Sequence, residues 1–215
     1  MLLSEEREAL SAAGRRLGAA GLVIGTSGNL SVRRGDLIAV TPTGGVISEL
    51  TAEMMTVINT DGAVVDGSLA PTSEVPMHLA IYRATDAGAI AHTHAVGSTA
   101  VACTMDGIPL VHYALLSLGG EIRVAPYATY GTEELAAHVV SALDGRRAAL
   151  MRNHGSIAIG ATAAEAAGNL ELTEWCAELY ARCLALGSPR LLTRADAEAH
   201  IRQTVAGNYG GVKKL

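Results

Sequence analysis

Lysine is scarce in this chain, and acidic residues outnumber basic ones 21 to 16. Its 215 residues carry a net charge of −5, and its only lysines are Lys213 and Lys214. With no other run of Lys or Arg and no basic face, the sequence excludes the electrostatic footprint of a nucleic-acid binder. No apolar run approaches the roughly 18 residues that a membrane span needs. The opening Met1-Leu2-Leu3-Ser4-Glu5-Glu6-Arg7 reads as the start of an acidic helix rather than a signal peptide. Cysteine is sparse as well. Cys103, Cys176 and Cys183 are odd in number, and the last two, seven apart on one expected helix, are beyond disulfide reach. These absences point to a protein of the reducing cytoplasm whose cysteines act as small core residues. No internal repeat or low-complexity block stands out. What is present is apolar: 49% hydrophobic residues suffice for one large domain with a substantial core. A single domain is expected over residues 1–206, followed by a flexible, glycine-rich tail at 207–215.

Leu10, Ala13, Leu17 and Ala20 fall at helical spacing and predict a helix from about Ser4 to Ala20, stopped by Gly21. Short apolar runs at 30–33, 37–40, 89–91, 122–125 and 148–150 read as strands. Met55 to Asp66 reads as a hairpin turning at Asn59-Thr60-Asp61-Gly62. Ile108 to Tyr113 is extended but interrupted by Pro109. Further helices are expected after Ser73, taken as an N-cap, from Gly97 to Cys103, from Thr132 toward Gly145, and from Arg194 to Val205. Thr162-Ala163-Ala164-Glu165 is a capping-box pattern that opens a long helix to Leu186. Its Leu172, Trp175, Cys176, Leu179, Cys183 and Leu186 form the stripe expected to face the core. Helices alternating with short strands and hairpin-length turns predict an α/β domain with a mixed or largely antiparallel sheet.

Chemistry gathers at the strand Ala89-Ile90-Ala91-His92-Thr93-His94. Side chains two apart on a strand share a face, about 6.6 Å apart along the backbone, so His92 and His94 can converge on one ion. His154 follows another strand-like run, and three neutral imidazoles with one open position make a catalytic rather than a structural zinc arrangement. The competing reading is that an H-x-H pair arises by chance. Gly25-Thr26-Ser27-Gly28-Asn29 and Thr41-Pro42-Thr43-Gly44-Gly45 are loops able to present several N–H groups to an anion, or else plain turns. Glu74 falls in the first turn of a helix, where a carboxylate is ordinarily a partner for the dipole.

Taken together, several motifs occur in the order and spacing of one known family. They are Thr26-x-Gly28-Asn29-x-Ser31, Pro42-Thr43-Gly44, Thr72-Ser73-Glu74-x3-His78, His92-Thr93-His94, His112-Tyr113, Ala125-Pro126-Tyr127-Ala128-Thr129-x-Gly131-Thr132 and Asn153-His154-Gly155. Over roughly residues 5 to 190 the chain resembles the class II sugar-phosphate aldolases, most nearly the L-fuculose-1-phosphate branch. The resemblance implies a three-layer αβα fold with a central, mostly antiparallel sheet, assembled as a homotetramer with active sites between subunits. It implies one Zn2+ per subunit on His92, His94 and His154, although imidazoles also suit other divalent transition metals. Glu74 matches the carboxylate that lies near the zinc, ligates it when no substrate is present, and serves as the base. Gly28, Asn29, Thr43, Gly44, Thr72 and Ser73 match the phosphate pocket, with Thr72 standing where serine is common. Tyr113 matches a tyrosine reaching a neighbouring subunit's site, and Tyr209 resembles one in the family's mobile tail.

The reaction so implied is reversible retro-aldol cleavage of a ketose-1-phosphate, such as L-fuculose-1-phosphate, to dihydroxyacetone phosphate and a small aldehyde such as L-lactaldehyde. Zinc would act as the Lewis acid, Glu74 would move the proton, and Tyr113 would donate to the aldehyde oxygen. A lysine Schiff base is not needed, in keeping with lysines confined to positions 213 and 214. Rival readings are a pentulose-phosphate 4-epimerase, a phosphosugar dehydratase or decarboxylase on the same scaffold, and a non-catalytic module like the head domain of adducin. The epimerases typically have aspartate at the position of Glu74 and His-Ala-Asp in place of His112-Tyr113-Ala114, and the adducin head lacks the metal ligands.

Overall fold

Alternation along short strands decides the layering. The structure is a computed structural model and describes residues 1–207. Nine strands form one sheet: β1 (Asn29–Arg34), β2 (Leu37–Val40), β3 (Thr56–Asn59), β4 (Val64–Asp66), β5 (Ala89–Thr93), β6 (Gly107–Ile108), β7 (Ile122–Ala125), β8 (Ala148–Met151) and β9 (Gly155–Gly160). Their order across the sheet is β4-β3-β2-β1-β5-β9-β8-β7-β6. Neighbours run antiparallel except β7 and β8, which are parallel. Among the described residues there are six helices, α1 (Ser4–Ala19), α2 (Val75–Ala84), α3 (Val96–Thr104), α4 (Glu133–Ala142), α5 (Ala163–Leu186) and α6 (Arg194–Gly207); the first five pack on the sheet, and the last packs on the turn at 113–118.

Side chains of one strand alternate between two cores. One face, carrying Leu30, Val32, Ala89, Ala91 and Ala158, packs with Leu10 and Leu17 of α1, Val101 of α3, and Ala166, Ala167 and Leu170 of α5. The other, carrying Ile38, Ile58, Ile90, Ile157 and Ile159, packs with Met77, Ile81 and Tyr82 of α2 and Leu135 and Val139 of α4. Alanines meet alanines where α5 crosses β5 and β9, which lets the helix approach closely. The result is the three-layer α/β arrangement with a mostly antiparallel sheet.

Two expectations need correction. The buried face of α5 is Ala163, Ala166, Ala167, Leu170, Thr173, Glu174, Cys176 and Ala177. Of the expected stripe, Cys176 is fully buried, whereas Trp175 is exposed and Leu186 almost wholly so. Small residues, carrying little hydrophobic signal, take the sheet side because only they permit the short helix-to-sheet distance. Ile108 to Tyr113 is also not one extended run: β6 ends at Ile108, and a 3-10 turn covers Tyr113–Leu118. The three cysteines are free, but only Cys176 is the small core residue expected; Cys183 is half-buried and Cys103 exposed. No helix among the described residues is long and apolar enough to cross a membrane.

Candidate active site

β5 lies between β1 and β9, and its register sets Asn29 of β1 and Ile157 of β9 beside His92. Ile90 and His92 point to the α2 side, so the imidazole is fully buried at that face. His94 follows just past the strand end, and His154 sits in the turn joining β8 to β9. That turn is tight. Asn153 takes φ of 53°, a left-handed conformation uncommon outside glycine. A methyl group added to Gly155 would lie 2.4 Å from the Thr93 carbonyl oxygen and 3.0 Å from the His94 ring, so only glycine lets His154 close on β5. The three ring centroids stand 4.8–4.9 Å apart, and one nitrogen of each ring lies within 4.8 Å of the others.

The tautomer of His92 follows from its partners. Its Nδ1 is 2.8 Å from the Ser156 carbonyl oxygen, which can only accept, so Nδ1 carries the hydrogen and Nε2 faces the cluster. Nε2 stands 3.1 Å from His94 Nε2 and 3.2 Å from Glu74 Oε2. Glu74 Oε1 lies 3.6 Å from His154 Nε2 and is buried without a hydrogen-bond partner among the described residues. Three inward imidazole nitrogens beside a partly unpaired carboxylate are the donor set of a divalent transition metal, and backbone-fixed imidazole orientation is its usual support. These residues fit such an ion.

Burial raises the Glu74 carboxyl, but the charges of His92 and His154 and hydrogen bonds from His92 and Asn29 outweigh it, holding it well below the usual carboxylate range. Burial lowers His92, and Glu74 more than compensates, raising it. His94 and His154 are each lowered to about 4, first by burial and then by His92. The cluster therefore pairs an anionic carboxylate with two imidazoles, His94 and His154, held neutral, while the raised His92 shares its proton with Glu74 and would release it when a cation binds.

Glu74 is not in the first turn of α2 but at its N-cap position, with Pro76 following inside the helix. Its side chain makes no capping bond; instead its own N–H donates to Thr72 Oγ1 at 3.3 Å. Neither Ser73 as cap nor Glu74 as simple dipole partner describes the arrangement, because the carboxylate turns back to the histidines.

In front of the cluster lies a cavity of about 280 Å³. All six residues matched to a phosphate pocket line it: Gly28, Asn29, Thr43, Gly44, Thr72 and Ser73. Two of these loops are zipped together, Thr43 N–H donating to Ala70 O at 3.0 Å and Thr72 N–H to Thr41 O at 3.1 Å. Gly28 holds φ of 94°, and a methyl group there would come within 2.6 Å of the His92 carbonyl oxygen, so this loop rests directly on β5. Among the described residues no Lys or Arg lines the cavity, which leaves an anion to backbone N–H groups, hydroxyls and a helix N-terminus. Thr26, Ser27, Tyr127, Tyr130 and Asn153 also line it. All fall within or beside the motif segments, but nothing in their spacing singles them out.

Tyr113 stands elsewhere. It is 43% exposed, outside the cavity lining, with its ring 4.3 Å from that of His112 and 4.6 Å from that of His200 on α6. Tyr209 lies outside the described residues.

Comparison with known proteins agrees with this geometry. The family described as Class II Aldolase and Adducin N-terminal domain matches residues 8–181. The chain is 37% identical over 201 residues to the 5-deoxy-D-ribulose 1-phosphate aldolase of Bacillus thuringiensis serovar kurstaki, covering 92% of this chain and 94% of the relative. To the L-fuculose phosphate aldolase of Escherichia coli K12 it is 42% identical over 171 residues, 79% of each chain. A solved L-fuculose 1-phosphate aldolase superposes with a TM-score of 0.90 at 36% identity, covering 95% of this chain and 98% of that one. The chain therefore belongs to the Class II Aldolase and Adducin N-terminal domain family, as one of its aldolases.

Proposed function

We propose that this aldolase cleaves a ketose-1-phosphate between C3 and C4, releasing dihydroxyacetone phosphate and a short aldehyde, and catalyses the reverse addition. The observation that carries the reading is one cavity lined both by the phosphate-type loops and by Glu74, His94 and His154, with His92 buried beside them. His92, His94 and His154 would hold a divalent metal, zinc in the first instance, which when bound supplies Lewis-acid polarisation of substrate oxygens. The chain's own residues do the rest. Gly28, Asn29, Thr43, Gly44, Thr72 and Ser73 bind the phosphate and fix the pose. Glu74, ionised and with Oε1 free, accepts and returns the proton at C3 of dihydroxyacetone phosphate. The site lies within one domain, residues 1–206.

Tyr113 donates to the aldehyde oxygen of a neighbouring subunit's site in a homotetramer. Its exposure and its distance from its own chain's cavity support this role, and Tyr209 of the tail is assigned beside it. A cytoplasmic location follows from the free cysteines and a phosphorylated substrate. L-Fuculose and 5-deoxyribulose both end in a methyl group, so the aldehyde fragment is methyl-terminated: lactaldehyde from the former skeleton, acetaldehyde from the latter. L-Fuculose-1-phosphate remains the first candidate.

The test is a panel of L-fuculose-1-phosphate, 5-deoxyribulose-1-phosphate and their terminal-hydroxyl counterparts, with coupled detection of dihydroxyacetone phosphate before and after chelation. A methyl-terminated ketose-1-phosphate should be cleaved fastest, and chelation should abolish cleavage. Release unaffected by chelation, or none from any member, overturns the reading. Glu74→Gln in the metal-loaded protein should bind dihydroxyacetone phosphate within about tenfold of the parent. It should exchange the C3 proton with deuterated solvent at least about a hundredfold more slowly, and exchange at the parental rate would remove Glu74 from the mechanism.

A further inference from the structure

Behind Glu74 a line of polar side chains runs into the core between the sheet and α2. Asn29 Nδ2 lies 2.8 Å from Glu74 Oε2, and Asn29 Oδ1 lies 2.5 Å from His78 Nε2. His78 Nδ1 is 2.7 Å from Ser31 Oγ, and Ser31 Oγ is 2.8 Å from the Tyr82 hydroxyl. All five residues are buried, Ser31 and His78 completely. Asn29 and Ser31 come from β1, and Glu74, His78 and Tyr82, spaced four apart, lie on one face of α2 and its cap.

The direction of every bond follows from the end of the line. An ionised carboxylate only accepts, so the Asn29 atom facing Glu74 is the amide nitrogen, which turns Oδ1 to His78. That oxygen also only accepts, so His78 Nε2 carries the hydrogen. Burial keeps the ring neutral, and its bare Nδ1 then takes the hydrogen of Ser31, whose oxygen accepts from Tyr82. A flipped Asn29 amide would set its oxygen against the Glu74 carboxylate, acceptor against acceptor, and it would also need the other tautomer of His78.

We propose that His78 is a positioning residue for Glu74: its Nε2–H holds the Asn29 amide in the one orientation that donates to the carboxylate, and the Ser31 and Tyr82 hydroxyls satisfy and hold the far side of the ring. His78 does not line the cavity, so it acts only through Asn29. Glu74 thereby keeps Oε2 engaged while Oε1, beside His154, stays without a hydrogen-bond partner among the described residues. The inference rests on the reading of Glu74 as the proton-moving group.

The experiment compares His78→Leu, His78→Gln and Tyr82→Phe in the metal-loaded enzyme, with Glu74→Gln alongside, reading metal content, kcat and KM on the best-cleaved ketose-1-phosphate. The amide nitrogen of Gln reaches close to the position of imidazole Nε2, so it restores the donor to Asn29, whereas Leu fills the space without one. Expected for His78→Leu are retained metal, KM within about threefold and kcat lowered about 10- to 100-fold, the range typical of residues that orient a ligating or reacting group. His78→Gln should recover most of that kcat, and Tyr82→Phe should lose less than His78→Leu. 15N-histidine NMR of the unsubstituted, zinc-loaded protein, with His78 assigned by its disappearance in His78→Gln, should show a protonated Nε2 and a bare Nδ1. That measurement stands even where His78→Leu does not fold. Parental kcat in His78→Leu, no advantage of Gln over Leu, or a hydrogen on Nδ1 overturns the proposal. If Glu74→Gln loses turnover and His78→Leu does not, only the relay is wrong; if Glu74→Gln keeps turnover, the reading of Glu74 itself fails.

Discussion

His92 and Tyr113 both have a part in the proposed reaction, yet the fold holds them by different means. His92 is completely buried in a central strand, its Nδ1 tied to a β9 carbonyl and its Nε2 beside Glu74. Tyr113 opens a 3-10 turn, is 43% exposed, and among the described residues its ring packs against those of His112 and His200. The difference teaches where precision is built. A metal and a proton-moving carboxylate need fixed geometry, which strand register and buried hydrogen bonds supply within one chain. A group proposed to serve another subunit, as Tyr113 is, has to stand on the surface, where a partner would give it its final place.

The strongest way to break this contrast is to remove one imbedded ligand. His92→Ala, His94→Ala and His154→Ala should each lose stoichiometric metal and about a thousandfold or more of turnover, as expected when several kcal/mol of charge stabilisation disappears. Metal analysis beside dihydroxyacetone phosphate release checks this, and full retention of both in any one variant removes that histidine from the set. Next in size is co-expression of Tyr113→Phe with Glu74→Gln. Each alone should be at least about tenfold impaired, whereas random mixed assembly should restore about a quarter of the sites, those pairing intact Glu74 with a neighbour's intact Tyr113. Mixed assemblies no more active than the parents would place Tyr113 in its own chain's site or nowhere in the reaction.

Two smaller effects sharpen the comparison on the buried side. Gly155→Ala forces a methyl group against the Thr93 carbonyl and the His94 ring. It should lower metal affinity about 10- to 100-fold and stability by about 1–3 kcal/mol. Gly44→Ala, with φ of 73° but no atom within 4 Å, should cost stability through backbone strain alone, about 1–2 kcal/mol, and leave metal affinity unchanged. Metal titration and denaturant melts of the two variants separate these outcomes.

The smallest effect is one of pH. Burial lowers His78 to about 4 from 6.5, so the unfolded chain binds the extra proton more readily than the folded one. The stability due to the neutral ring is complete above about 6.5 and is lost as pH falls toward about 4. Zinc-loaded His78→Gln should therefore lose stability less steeply than the parent across that window. Identical slopes in denaturant melts would mean that His78 does not stay neutral in the folded protein.

The sequence by itself determined most of the strands, the helix starts at Thr132 and Thr162, and the family, because local periodicity and ordered motifs carry those facts. It placed Glu74 one position too deep in α2 and turned α5 to the wrong stripe. Both errors have the same origin: hydropathy does not report which side must be small enough to approach a sheet, or which way a cap carboxylate turns. Only the tertiary structure decided that Gly155 must lack a side chain, that the Ser156 carbonyl sets the His92 tautomer, and that Asn29 is shared between Glu74 and His78. These contacts join residues 45 to 64 positions apart. Spacing along a chain says which side chains share a face, but hydrogen-bond partners across such separations are set by strand register and by helix placement over the sheet, and neither is written in any local window.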